Sequence, residues 1–210
     1  RKIAREALAA YPNVAVRTRV RVAGLTRDAE GFSAGVGRRG AEQTVSARAV
    51  LLATGLRETL PEVPNLRGFY GMSLFSCAAC DAWELRGRSL ALIGESPDLA
   101  ERARLIARWT ASLTVFTHGS DAVTTTEEAE LAASGVTVVR EPIVELVGDR
   151  GRLAAGRVEG GTTVAVEGGF VRPEWDADLS FLGDVEVETD AAGHVVTDRS
   201  GRTSVPGIYA

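Results

Sequence analysis

The residues with the most chemistry to offer are Cys77-Ala78-Ala79-Cys80-Asp81, which hold both cysteines of the chain. Two cysteines three apart at the start of a helical turn share a face, with Cβ atoms about 5–6 Å apart, so a disulfide closes without unwinding the backbone. A helix N-terminus also stabilises a thiolate, the form that attacks another disulfide. Asp81, directly after the pair, supplies a carboxyl group that can carry a proton to or from a departing thiolate. Three plainer readings stand beside this one. A structural zinc needs about four ligands, and the other soft donors are His118 and His194, at irregular distances. Two inert buried thiols and a static structural disulfide are the remaining readings.

A second candidate is Ile93-Gly94-Glu95-Ser96-Pro97-Asp98-Leu99. It sits at a strand-to-helix turn where a G-x-G-x-x-G fingerprint belongs, with Ser96 in place of the second glycine and Leu99 in place of the third. A serine still leaves room for a pyrophosphate, but Glu95 and Asp98 bring negative charge to the place where phosphates would lie. Gly94 and Ser96 are therefore candidate nucleotide contacts, with an ordinary buried turn as the competing reading. Ala53-Thr54-Gly55 ends another apolar strand. His118, in Phe116-Thr117-His118-Gly119, reads either as a cofactor contact or as a solvated loop residue. His194 takes the solvated reading in a hairpin, and Trp83 and Trp109 read as packing groups because large aromatics are buried on average.

These groups need a frame, and the apolar periodicity supplies one. Ser89–Ile93 is a buried strand, followed by a helix from Asp98 to about Trp109 with Leu99, Ala103, Ile106 and Thr110 on one face. Strand Leu113–Phe116 completes a strand-helix-strand unit of about 30 residues, the size of a dinucleotide-binding half. Thr125 with Glu128 predicts a capping box, Gly135 ends that helix, and Val136–Val139 is the next strand. From Ile143 onward, short strands with Gly-rich turns predict antiparallel structure. Upstream, a helix over 3–10 ends at Tyr11-Pro12-Asn13. Strands are expected at 14–16, 20–22, 31–36 and 42–45, with a turn around Arg38-Arg39-Gly40, then a strand buried on both faces at 49–53. Prolines and glycines over 61–71, and Arg172-Pro173-Glu174, read as linkers. The fold class is α/β with a two-domain Rossmann-like plan: 1–72, an inserted 73–171 carrying the cysteines, and a return segment 172–210.

The 210 residues are 45% hydrophobic and 25% charged, an ordinary globular composition. Net charge is −4, from 24 basic and 28 acidic residues, without a dense Lys or Arg run, which argues against a nucleic-acid or acidic-membrane partner. No apolar stretch approaches the roughly 20 residues that span a bilayer, and the first residues lack a secretory signal's apolar middle, so the expected compartment is the cytoplasm. Arg1 at the start and the apolar run Val205–Ala210 at the finish predict a fragment of a longer chain.

The order of Leu52-Ala53-Thr54-Gly55, a Pro-containing linker, Cys77-x-x-Cys80-Asp81, a strand-Gly-helix unit and Thr203-Ser204-Val205-Pro206-Gly207-Ile208-Tyr209-Ala210 is similar to the thioredoxin reductase family. The resemblance covers nearly the whole chain. It implies an FAD domain formed by the two outer segments, with its main fingerprint upstream of residue 1, and a pyridine-nucleotide domain between the linkers. It makes Cys80 the thiol facing the flavin, Cys77 the thiol attacking a substrate disulfide, and Asp81 the acid-base group. Thr54 and Gly55 would touch FAD. The implied partner is a disulfide or dithiol, either a thioredoxin-like protein or a small molecule, and the implied assembly is a homodimer. One departure concerns the electron donor. Such reductases carry a His-Arg-Arg run after the second strand for the NADPH 2′-phosphate, whereas Thr117-His118-Gly119 offers no arginine fork. NAD(P)H use is thereby put in question, and the chain also resembles the flavin-dependent dithiol oxidases, which pass electrons to oxygen. That group often has His after its second Cys, and Asp81 points back to the reductases. A non-catalytic fold relative and a thiol-based redox sensor are the alternatives from other classes.

Overall fold

The computed structural model describes residues 2–38 and 40–210; Arg39, expected in a turn, and Arg1 lie outside the described residues. The chain divides into two compact units, Arg1–Arg57 with Asp176–Ala210, and Glu58–Trp175. It begins with helix α1 (Lys2–Leu8), strands β1 (Arg21–Arg27), β2 (Phe32–Arg38) and β3 (Ala41–Ala47), and short strands β4 (Val50–Leu51) and β5 (Arg57–Thr59). Next come β6 (Leu74–Phe75) and α2 (Ala78–Leu85), then β7 (Leu90–Ile93), α3 (Leu99–Ile106), β8 (Leu113–Phe116), α4 (Thr125–Ala133) and β9 (Val136–Val139). Strands β10 (Ile143–Asp149), β11 (Arg152–Val158) and β12 (Thr163–Ala165) precede β13 (Gly168–Val171), β14 (Glu174–Asp176) and the final β15 (Ile208–Tyr209).

In the first unit β1, β2 and β3 form an antiparallel meander, and β15 pairs in parallel with β4. Leu25, Phe32, Leu52, Leu182 and Ile208 make its core.

The second unit is built on a parallel sheet of order β6-β13-β7-β8-β9. Strand β7, Leu-Ala-Leu-Ile, is buried along its whole length, as a strand covered on both faces must be. One face of the sheet meets Leu85, Leu99, Ala103, Ile106 and Leu131 from α2, α3 and α4. The other packs Ala91, Ile93 and Phe116 against Ile143, Leu146, Leu153 and Val158 of the antiparallel β10-β11-β12 sheet. Strand β13 can sit between two neighbours because Gly169 lacks a Cβ, which would otherwise collide with the Ala91 carbonyl. In register, Ile93 lies beside both Val171 and Phe116, so Gly94, Thr117 and Arg172 emerge together at the carboxyl ends of three adjacent strands. That is the edge at which open α/β sheets bind nucleotides.

Several expectations need correction. Residues 14–16 form no strand, and Val14 and Val16 are largely exposed; a three-residue alternation without a ladder partner cannot hold. The strand expected at 49–53 is the two-residue β4, with Leu51 70% exposed rather than buried. The stretch 61–71 is packed, with Leu60, Val63, Leu66 and Phe69 entering the second unit's core around a single 3₁₀ turn. The capping box is one residue earlier than expected, formed by Thr124 and Glu127. Trp83 and Trp109 are not packing groups: they are 58% and 37% exposed and meet each other edge to face at 6.1 Å.

Candidate functional site

Helix α2 explains the position of the cysteines. Cys77 is its N-cap in extended conformation, and its carbonyl accepts hydrogen bonds from Cys80 N (3.2 Å) and Asp81 N (3.1 Å). The first turn thus carries both sulfurs on one side, and they are joined as a disulfide with Cα atoms 5.3 Å apart. Ala82 and Leu85 anchor the opposite side in the core. Cys77 is half-buried and Cys80 exposed, so the bond is open to an incoming group. Asp81 is half-buried in the same turn. A disulfide at a helix N-terminus releases a thiolate into a favourable field when it is reduced, and that is the property thiol exchange uses.

The turn after β7 is less hospitable to a nucleotide than its place in the sheet suggests. Gly94 is buried, and a Cβ there would lie 2.7 Å from Arg172 Cβ and 2.9 Å from Leu99 Cδ1. The glycine makes room for the protein's own side chains. Asp98, the N-cap of α3, receives Arg172 Nε at 3.0 Å from each carboxylate oxygen and Arg102 Nε at 2.8 Å. Burial pushes this carboxyl up, but hydrogen bonds from Arg172, Ser96 and Arg102 outweigh burial and hold it well below the usual carboxylate range. Beside the turn, a cleft of about 150 Å³ is lined by Leu60, Glu62, Glu95, Ser96, Arg172 and Glu174 among others. It has three carboxylates and one arginine already in use.

His118 takes a left-handed backbone (φ 52°), and its Nδ1 accepts the Ile143 amide at 2.9 Å. It fastens the start of β10, a task that neither the cofactor nor the solvated reading anticipated. In the first unit, Thr54 and Gly55 are exposed just beyond β4. Gly55 has φ 71° and no heavy atom within 4 Å of an added Cβ, an open backbone fitting close approach by a nucleotide. His194 stands near Asp190, with Nδ1 at 3.6 Å from a carboxylate oxygen.

The Asp98–Arg172 pair had no signature in the sequence. The only available signal was indirect: Arg172 directly follows a Gly-Gly-Phe-Val strand, so it had to emerge beside the turn of whichever strand paired with β13.

A parallel α/β sheet bearing a disulfide at the N-terminus of one of its helices defines a Rossmann-like domain of the disulfide oxidoreductase class. The chain belongs to the pyridine nucleotide-disulphide oxidoreductase family, whose profile matches residues 2–210. It is 32% identical to a chain of Bacillus anthracis assigned as the thioredoxin reductase TrxB, with a TM-score of 0.89 over 99% of this chain and 69% of that one. A bifunctional thioredoxin reductase/thioredoxin of Mycobacterium leprae is 28% identical over 179 residues, 80% of this chain and 38% of the relative. A thioredoxin reductase of Treponema pallidum is 28% identical over 176 residues, 79% of this chain and 55% of the relative. The chain therefore spans only part of the length of these curated relatives. Among the described residues, no helix is long and apolar enough to cross a membrane.

Proposed function

We propose that, within the full-length protein, this chain works as a flavin-dependent disulfide oxidoreductase in which Cys77 and Cys80 relay an electron pair between FAD and a disulfide or dithiol partner. The observation that supports this reading most directly is the Cys77–Cys80 disulfide capping α2 with Cys80 exposed. FAD, when bound, supplies or takes up the two electrons that open or close this bond, and Thr54 and Gly55 would help hold it. In the reducing direction, the Cys77 thiolate attacks one sulfur of the partner disulfide and expels the other as a thiolate. Cys80 then attacks Cys77, releasing the second partner thiolate and restoring the intramolecular disulfide. Asp81 delivers the protons that the departing thiolates need, and the helix field lowers the cost of each thiolate. The partner is a thioredoxin-like protein or a small disulfide, and the full-length assembly is a homodimer; both rest on the resemblance to thioredoxin reductases.

A second reading runs the same exchange backwards, oxidising a dithiol and passing the electrons through FAD to oxygen. The acidic turn after β7 favours it, because that turn weakens the case for NAD(P)H as the donor.

The test is anaerobic mixing of flavin-loaded full-length protein with excess dithiol. Loss of flavin colour in the wild type, abolished by Cys80→Ser, supports the relay. Bleaching unaffected by Cys80→Ser overturns it.

A further inference from the structure

We propose that Asp98 is a built-in anion occupying the phosphate position of the α3 turn, so that this family member does not take a pyridine-nucleotide pyrophosphate there. A pyrophosphate held at such a turn needs three things: open backbone, the positive end of the helix, and cations free to pair with it. The chain has already used the cations and sets a carboxylate at the cap of the helix. Gly94 serves the tight turn itself, closed in by Arg172 and Leu99 of this chain, and so holds Arg172 against the turn. The helix end is faced by the Asp98 carboxylate, which makes no hydrogen bond to the helix amides and turns instead to the arginines. Arg172 gives its Nε to both Asp98 oxygens and its Nη1 to the Pro173 carbonyl (3.0 Å), and Arg102 gives its Nε to Asp98.

The surroundings act in the same direction. Glu62, Glu95 and Glu174 border the cleft, so a dianionic pyrophosphate meets like charge on entry. The segment beyond β8 that would face an NADPH 2′-phosphate is Thr117-His118-Gly119, where no arginine stands and His118 Nδ1 is bonded to the Ile143 amide. Asp98 stays ionised across the physiological range because its arginine and serine hydrogen bonds outweigh the cost of its burial. It therefore does not vacate the position by taking up a proton. The residues present do not fit the nucleotide that the family's name implies.

The inference stands apart from the flavin relay, because binding is read by calorimetry without turnover. Flavin-loaded full-length protein is titrated with NADPH, NADH and ADP, the last carrying the adenosine and diphosphate without the nicotinamide. The wild type shows no saturable binding up to about millimolar ligand. Asp98→Asn and Asp98→Ser, the second a good helix cap in its own right, free two guanidinium groups and tighten ADP binding at least about tenfold. Adding Arg172→Met removes the gain. Micromolar NADPH binding by the wild type overturns the proposal, as does unchanged ADP binding in both Asp98 variants when circular dichroism shows them folded.

Discussion

Arg172 and Asp98, 74 residues apart in sequence, are joined by one guanidinium nitrogen lying 3.0 Å from each oxygen of one carboxylate. The bond ties the residue leaving β13 to the cap of α3, across the end of β7. Asp98 has a folded pKa below its unfolded value, so its stabilisation is fully present above about pH 3.9 and is lost as pH falls below that towards the folded value. Denaturant unfolding at about pH 6 and about pH 3 should show the wild type losing about 1 kcal/mol more than Asp98→Asn, a figure discounted for the partial exposure of the pair. The depressed carboxyls of Glu127, Asp178, Asp190 and Asp198 are common to both proteins and cancel in the difference. Equal acid sensitivity in the two proteins would show that the pair contributes nothing.

Within this chain, Cys77→Ser and Cys80→Ser should each leave one titratable thiol where the oxidised wild-type chain has none, and in the full-length protein each should abolish disulfide turnover. The two should differ in one respect. Only the variant keeping Cys77 should trap a stable mixed disulfide with the partner, and mass spectrometry reads this directly. Trapping by Cys80 alone would exchange the roles assigned to the two sulfurs.

Gly94→Ala places a methyl group against Arg172 Cβ and Leu99 Cδ1. Overpacking at a site closed by core atoms costs about 1–3 kcal/mol, measurable as a fall in thermal midpoint. Gly55→Ala meets no neighbour and pays only for its left-handed backbone, about 1–2 kcal/mol, so its larger effect should be on flavin retention.

His118→Leu leaves the Ile143 amide without its acceptor and keeps the same left-handed backbone. The expected loss is about 1–3 kcal/mol of stability. Flavin spectra and disulfide turnover should be unchanged at temperatures where the variant is folded. A catalytic defect without a stability defect would restore a cofactor role to this residue.

Thr124→Ala removes the hydroxyl that accepts the Glu127 amide at 3.2 Å, and with it half of the box opening α4. The cost should be about 1 kcal/mol, whereas Thr125→Ala, one position inside the helix, should be nearly neutral in equilibrium unfolding.

Three strands of the parallel sheet, β7, β8 and β9, were legible as short apolar runs between turn signals. Strand β6 was missed, and β13, in a segment expected to be antiparallel, pairs in parallel with β6 and β7 because its Gly-Gly start gives no apolar run to read. The cysteine pair was legible because spacing alone sets its geometry. What escaped depends on contacts remote in sequence. Arg172 looked like linker because Pro173 follows it, and its partner lies beyond six strands and two helices. Prolines and glycines over 61–71 report on backbone conformation and say nothing of burial. The apolar residues at 60, 63, 66 and 69, spaced by three, were the signal that this stretch packs. Trp83 and Trp109 were assigned inward from average behaviour, but their partners are each other and Arg86, whose guanidinium lies 3.9 Å from the Trp83 ring centre.

That surface indole pair has an optical consequence. Trp83 follows Cys80 by three residues on α2, so the two lie on neighbouring positions of the same helical face. An excited indole readily gives an electron to a nearby disulfide, and it loses that acceptor when the bond opens to two thiols. Trp109 packs edge-on against it at 6.1 Å. The chain thus carries a fluorophore beside its own quencher: its emission should brighten on reduction and dim on oxidation, allowing the midpoint potential of the pair to be titrated in solution without any added dye.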